Sequence, residues 1–300
     1  MTESSTEGRH PGAEGFHTLG GKDALSILLA AQIGALKALT PAIPALERVA
    51  DAAAASLRAG GKLGYAGAGS SGLMALADCL ELAGTFGFAP ERTPMMFAGG
   101  ADALLHMKGS VEDDPALALA DLDCAGMAAG DTLLVLSASG RTPYALAIAE
   151  AARARGVTVA GFANVPGAAL LGLADIPVLI ETGPEVIAGS TRMGAATAQK
   201  AALNMISVLA ATRLGHIHDG YMVNLVADNI KLVDRAARIV AAVADMPRDA
   251  AEAALARVAG AVKPAVLVAR GMTPEAATAA LSQNGGHLAP LLQGFHQAGS

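Results

Sequence analysis

The sequence predicts an α/β fold, a parallel sheet with helices on both faces, followed by a small helical C-terminal part. Three observations carry this expectation. Between residues 62 and 180, short apolar runs punctuated by glycine alternate with helix-like stretches. Leu133-Leu134-Val135-Leu136 is the unbroken apolar run of a strand buried on both faces. From Asp249 onward the pattern turns to short Ala-rich helices broken at Gly260, Gly271 and Gly285-Gly286.

The elements follow in order. Met1–Lys22 reads as a loosely ordered lead, and Asp23 opens a helix that runs to about Leu39. Thr40-Pro41 stops it, and Pro44 falls early in a second helix ending near Gly60. Strands are expected at Lys62–Ala66, Thr93–Phe97, Asp131–Leu136, Val157–Phe162 and Ile176–Ile180. Helices are expected at Ser71–Leu82 and Pro143–Arg155, then as two long stretches at Thr191–Leu214 and Met222–Ala242. Thr273-Pro274-Glu275 is a helix start, with Thr as cap, Pro at the first position and a carboxylate in the first turn. The expected division is an N-terminal tail and helix (1–44), a sheet domain (45–244) and a small helical domain (245–300).

Composition narrows the function. The chain is 53% hydrophobic, which excludes a disordered chain and a charged coiled coil. The apolar stretches Ala24–Leu36 and Ala201–Thr212 are shorter than the ~18–20 residues a bilayer requires, so no membrane span is expected. Met1–Gly20 is too polar for a signal peptide, and a cytoplasmic location is expected. A net charge of −6 and only 3% aromatic residues argue against a nucleic-acid partner. Cys79 and Cys124 form neither a disulfide framework nor a zinc ligand set, which suits a reducing compartment. His216, His218 and Asp219 have ligand-like spacing without an evident third partner, and a solvated helix exit is the simpler reading; no metal is expected.

Two turns combine glycine with hydroxyls. Gly67-Ala68-Gly69-Ser70-Ser71-Gly72 follows a strand and enters a helix, whose first amides and dipole favour an anion. The spacing matches a dinucleotide fingerprint, but no clean strand leads to an acidic residue at Glu91. Ser137-Ala138-Ser139-Gly140-Arg141-Thr142-Pro143 follows the next strand and places three hydroxyls before a helix. A phosphate monoester suits that turn, and the absence of a P-loop lysine disfavours a nucleoside triphosphate. A plain polar turn with a helix cap is the competing reading for each.

This pair of turns resembles the sugar isomerase (SIS) domain. Within it the chain is similar to the N-acetylmuramic acid 6-phosphate etherase family, relatives of the glucokinase regulatory protein. The similarity runs from about Thr6 to the C-terminus, and its most specific segments are Gly67–Gly72, Ser137–Tyr144 and, more diagnostic than either, Gly183-Pro184-Glu185-Val186, Gly189–Met193 and Thr197–Lys200 with Leu203-Asn204-Met205. The resemblance implies an SIS-type α-β-α sandwich, a small UBA-like helical domain at residues 245–300, and a phosphorylated amino sugar substrate. It implies catalysis without a cofactor, and a homodimer. Substrate-binding positions carried over are Gly69, Ser70, Ser71, Ser137, Ser139, Gly140, Thr142, Glu185, Ser190, Thr191 and Arg192.

Two carboxyl-bearing segments stand out. Asp78 and Glu81 lie one turn apart on the helix after the first serine turn, and Glu112-Asp113-Asp114 precedes another helix. Read alone, Glu112 fits a helix start, because Asp114-Pro115 is a good cap pair. The resemblance implies that Glu81 is the acid protonating the lactyl ether oxygen and Glu112 the base removing the C2 proton. Such a pair needs pKa values pushed apart, and an apolar setting around Glu81 is expected to supply this.

The sequence departs from the family pattern at Leu73, Leu82-Ala83-Gly84-Thr85, Gly109 and Gly194, where arginine, Cys-Pro-Pro-Thr, an acid and lysine are usual. A phosphosugar-binding regulatory protein and a phosphosugar isomerase are therefore alternative expectations. The Ala-rich helical surface suggests a homodimer, with Thr191–Leu214 and Met222–Ala242 as candidate contacts.

Overall fold

In the computed structural model, which describes residues 6–297, all five expected strands form one parallel sheet. Met1–Ser5 of the expected lead and the last three residues lie outside the described residues. The lead is not featureless, since Pro11–Ala13 and Phe16–Thr18 are 3-10 turns. Helix α1 (Gly21–Lys37) then starts two residues before Asp23. A 3-10 turn at Thr40–Ala42 separates it from α2 (Ile43–Arg58), with Pro44 in the first turn of α2.

The sheet strands are β1 (Leu63–Gly67), β2 (Met95–Phe97), β3 (Thr132–Leu136), β4 (Thr158–Ala163) and β5 (Ile176–Leu179), in the order β2-β1-β3-β4-β5. Between them run α3 (Gly69–Cys79), α4 (Glu81–Phe86), α5 (Gly100–His106), α6 (Pro115–Ala125), α7 (Pro143–Ala154) and α8 (Ala169–Leu173). All five residues of β1 and of β3 are buried, as the apolar run of β3 requires. Leu133 and Val135 pack with Leu122 of α6 and Ile148 of α7. Alternation turns Leu134 and Leu136 to the other face, and α2 contacts β1, β3 and β5.

Beyond the sheet come α9 (Gly194–Arg213), a two-stranded ribbon of β6 (Ile217–His218) and β7 (Tyr221–Met222), and α10 (Ile230–Ala244). The chain ends in α11 (Arg248–Arg257), α12 (Val262–Ala269), α13 (Pro274–Gln283) and α14 (Ala289–Gln297). The chain divides into two compact units. One runs to Leu80 and resumes over Glu91–Ser207; the other joins Glu81–Pro90 to the chain from Val208 onward. The second unit has its own core, in which Ile239 and Val240 of α10 meet Leu255, Val266 and Leu281. The expected boundary at 244/245 therefore falls inside one core: α10 shares its apolar face with the terminal helices.

Three expected elements differ. Ser71–Leu82 is not one helix, since α3 ends at Cys79 and α4 begins at Glu81. Met222 lies in β7, and α10 starts only at Ile230, where the Asn229 side chain accepts from the Leu232 amide at 3.1 Å. Helix α9 starts at Gly194 rather than Thr191.

The apolar stretch Ala24–Leu36 lies largely at the surface. In α1 only Ala35 is buried, while Leu25 (67% exposed), Leu29 (62%), Ile33 and Leu36 form an outward stripe. Counted through the 3-10 turn, the helical stretch Gly21–Arg58 is long and apolar enough to cross a membrane by length and composition, contrary to expectation. The proline-bearing turn does divide it, and α2 buries Leu46, Val49, Ala50 and Leu57.

Candidate functional site

The strand order places the site. The chain leaves β1 toward β2 on one side and returns to β3 on the other, so the loops after β1 and β3 part at a switch point. Their strands end in register, Gly67 opposite Leu136. The two serine turns begin at the next residues and are neighbours at this edge.

The first turn is tighter than its motif suggests. Ser70 and Ser71 already belong to the first turn of α3, which has no side-chain cap. Gly72 is required by packing: a Cβ there would lie 2.7 Å from the Phe97 ring and 2.8 Å from the Gly67 carbonyl oxygen. That close approach seats the start of α3 on the ends of β1 and β2. It leaves Gly69 and Ser70 half-buried at the edge, while Ser71, carried over as a substrate-binding position, is buried.

The second turn is organised from within. Ser137 is buried, its hydroxyl accepts from the Gly140 amide at 3.0 Å, and it pairs with the Thr142 hydroxyl at 2.9 Å. Gly140 has φ +61°, and a Cβ there would come within 2.5 Å of the Ala168 Cβ. Ser139 is half-buried and accepts from the Arg141 amide at 3.3 Å. The sequence marks Ser137, Ser139 and Thr142 alike, but their roles divide: Ser137 and Thr142 shape the loop, and Ser139 is the hydroxyl it presents.

Glu112 joins the first turn. It lies on a 3-10 turn, Gly109–Asp113, and a Cβ on Gly69 would stand 3.6 Å from its Oε2. Both residues line a small cleft of about 110 Å³ with Phe97, Ala98, Lys108 and Val111. Burial, and then the neighbouring Asp113 carboxylate, raises the Glu112 pKa above its ordinary value. Asp114 caps α6 as its sequence predicts, accepting from the Ala116 amide at 2.8 Å. Helix-start chemistry therefore falls to Asp114 and leaves Glu112 uncommitted.

Glu81 departs from expectation. It is exposed at the start of α4 and belongs to the second unit. The buried acid is Asp78, whose Oδ1 accepts from Lys200 Nζ at 3.1 Å and whose Oδ2 accepts from the Tyr65 hydroxyl at 3.0 Å. Burial raises the Asp78 pKa while Lys200 opposes the rise. On one continuous helix residues 78 and 81 would share a face. The break at Leu80 separates them, so the apolar setting expected around Glu81 is found at Asp78.

Glu185 has both oxygens engaged. Oε2 accepts from the Gly194 amide at 3.0 Å and Oε1 from the Ala195 amide at 2.9 Å, which caps α9 from nine positions upstream. This explains glycine at 194: a Cβ would lie 3.0 Å from the Ala35 Cβ and 3.1 Å from Glu185 Oε2. Gly109, by contrast, faces open space, so the absent acid there leaves no packing gap. Ser190, Thr191 and Arg192 precede α9; Arg192 is exposed, and Thr191 accepts the first bond of the approach from the Ala196 amide at 3.0 Å. Glu185, Thr182 and Gly194 line a cleft of about 380 Å³ with His10, Ile27 and Ala31, where the buried Thr182 hydroxyl has no hydrogen-bond partner among the described residues.

His216 is not at a solvated exit. Its ring lies 5.0 Å from that of Phe88, and burial pushes its pKa down to about 4. Among the described residues no three His, Cys, Asp or Glu side chains gather as a metal site would require.

The SIS domain family matches residues 34–164. An N-acetylmuramic acid 6-phosphate etherase from Deinococcus radiodurans is 41% identical over 96% of this chain and 94% of its own length. One from Rubrobacter xylanophilus is 38% identical over 89% of each. A crystal structure from Bacteroides fragilis, assigned as a phosphosugar isomerase involved in capsule formation, aligns with TM-score 0.52 at 20% identity. It covers 67% of this chain and 95% of its own, and shows the shared fold.

Glu185→Gln should destabilise the protein without any ligand present. One of two helix amides would then face an NH2 donor, and the loss should be about 1–3 kcal/mol in denaturant unfolding. Unchanged stability would free Glu185 from the capping role.

Proposed function

The chain belongs to the N-acetylmuramic acid 6-phosphate etherase family, and from that premise we propose that it cleaves the lactyl ether of N-acetylmuramic acid 6-phosphate. The products are N-acetylglucosamine 6-phosphate and D-lactate. The observation that carries this reading at the site is Glu112, uncommitted and half-buried beside Gly69 at the serine-turn edge.

The chemistry follows from the open-chain sugar. Its C2 proton is α to the C1 aldehyde, so removal by the Glu112 carboxylate leaves a stabilised enolate. The electron pair then forms the C2–C3 double bond as the C3–oxygen bond breaks. The departing ether oxygen takes a proton, a role that the family resemblance alone gives to Glu81, since its exposed place at the start of α4 lacks the expected apolar setting, and leaves as the lactate hydroxyl. Water adds its oxygen at C3 and a proton at C2, restoring the aldehyde without net oxidation. The phosphate is assigned to Ser139 and the amides of the second turn, with Ser70 and the uncapped start of α3 completing the cradle. Arg192, exposed before α9, is suited to an anionic substrate group. A phosphorylated substrate does not cross a membrane unaided, so the cytoplasm is the fitting location.

The apolar stripe on α1 supports a homodimer in which a second copy covers Leu25, Leu29 and Ile33. Light scattering should give twice the chain mass at micromolar concentration, and Leu29→Glu with Ile33→Glu should halve it. A monomeric wild type would remove this part of the proposal.

Ser139→Ala should weaken binding of a phosphorylated sugar by ~1–3 kcal/mol, as for a hydrogen bond to a charged group. Calorimetry with N-acetylglucosamine 6-phosphate reads this, and unchanged affinity would move the phosphate elsewhere.

Lactate release from N-acetylmuramic acid 6-phosphate is the direct test of activity. Glu112→Ala should abolish exchange of the C2 proton with solvent deuterium, whereas Glu81→Ala should retain some exchange and lose lactate release. A base works deprotonated, so kcat/KM should fall with acid through a pKa above that of an ordinary glutamate. Full activity in both variants would make these carboxylates structural.

A further inference from the structure

The segment Thr197–Lys200 is among the most specific of the chain, yet nothing in the etherase chemistry calls on it. Its Gln199, on α9, reaches the second serine turn through one intermediate. Gln199 and Asn164 are both 0% exposed. Asn164 directly follows β4, and its side chain joins the end of β5 to α9. Its Nδ2 donates to the Ile180 carbonyl oxygen at 2.9 Å, and its Oδ1 accepts from Gln199 Nε2 at 2.9 Å. A carbonyl oxygen can only accept, so Nδ2 must face Ile180 and Oδ1 must face Gln199. The Gln199 amide is thereby fixed in one orientation. Its Oε1 is left buried with no partner among the described residues. The Asn164 backbone completes the link: its amide donates to the Ala138 carbonyl oxygen at 2.8 Å, beside the bond from the Ser137 amide to the Phe162 carbonyl oxygen at 3.1 Å. These two bonds tie the start of the turn to the end of β4, and Ala138 immediately precedes Ser139.

We propose that Gln199 is a positioning residue for phosphosugar binding: its Nε2 fixes Asn164, and Asn164 fixes the peptide from which Ser139 is presented. The proposal rests on the assignment of the phosphate to this turn. A buried amide with an unpaired oxygen is costly where an apolar side chain could fill the same space. That cost has a return only in the orientation it imposes on Asn164. Gln199 reaches the turn only through Asn164, so its effect falls on affinity and not on the chemical step.

The competing reading is a core amide that serves stability alone. Gln199→Met keeps the length of the side chain and removes both Nε2 and Oε1. One buried acceptor stays unpaired either way, Oε1 in wild type and Asn164 Oδ1 in the variant, so Tm should move little. Calorimetry on the full chain with N-acetylglucosamine 6-phosphate should show a several-fold loss of affinity, and turnover a higher KM at unchanged kcat. Hydrogen exchange without ligand should quicken across residues 137–142 and hold steady in β1 and α12. In Gln199→Glu the carboxyl can donate to Asn164 only when protonated, the form that burial favours. This variant should match wild type at acid pH and fall behind it as the pH rises through the carboxyl pKa. That comparison decides the matter if Gln199→Met does not fold. Unchanged affinity in Gln199→Met, or wild-type affinity in Gln199→Glu from acid to alkaline pH, would overturn the proposal. So would an affinity loss matched by a lower Tm and faster exchange throughout the chain. Ser139→Ala separates the two claims. If it binds as wild type does, the phosphate assignment fails and takes this proposal with it. If it weakens binding while Gln199→Met does not, the role of Gln199 alone fails.

Discussion

Parallel pairing of β1 with β3 is the constraint on which the site depends. Two parallel strands cannot be joined by a tight turn, so each must send its chain away through a helix and begin its loop at the same sheet edge. Because Gly67 and Leu136 end in register, the two hydroxyl-rich loops start at equal height. Neither loop contains the information that makes it a neighbour of the other. The apolar runs of β1 and β3 supply it, since only burial on both faces selects this central pairing.

The second organising contact is Glu185. A helix that begins with glycine and alanine has no side chain of its own at its start to accept its first amides. Here the acceptor comes from a separate loop, and it comes with charge, which favours the positive end of the helix dipole. The contact also fixes the Ser190–Arg192 segment, because both of its ends are then held: one by the helix it enters, the other by the carboxylate's own loop. Ala35 of α1 packs against the same glycine, so the N-terminal helix is seated on the same spot.

What the residues disclosed follows from how local each signal is. Strands buried on both faces announce themselves as apolar runs, and all five were legible to within two residues. Thr40-Pro41 marked a helix end and Pro44 a first turn, and Asp114-Pro115 and Thr273-Pro274 marked helix starts because cap and helix are adjacent in sequence. The Glu185 cap was invisible for the opposite reason, as nine residues separate carboxylate and amides. The break at Leu80 carries neither glycine nor proline, and missing it exchanged the environments of Asp78 and Glu81. The serine turns were legible as hydroxyl clusters, but not the inward turn of Ser137, which depends on the path of the Gly140 backbone. The late start of α10 was hidden by an apolar, helix-like composition over residues 222–229.

The inward hydroxyl of Ser137 has a consequence for rates. Its bonds to Gly140 and Thr142 hold the second turn in one shape before any ligand arrives. A loop already in that shape loses little conformational entropy when occupied, and encounter does not wait for it to rearrange. With the phosphate assigned to this turn as proposed, association should be limited by diffusion and by substrate charge. Side-chain changes on its rim will then be felt as shorter residence of the ligand, while changes at Ser137 itself will slow arrival, because the loop must first find its form.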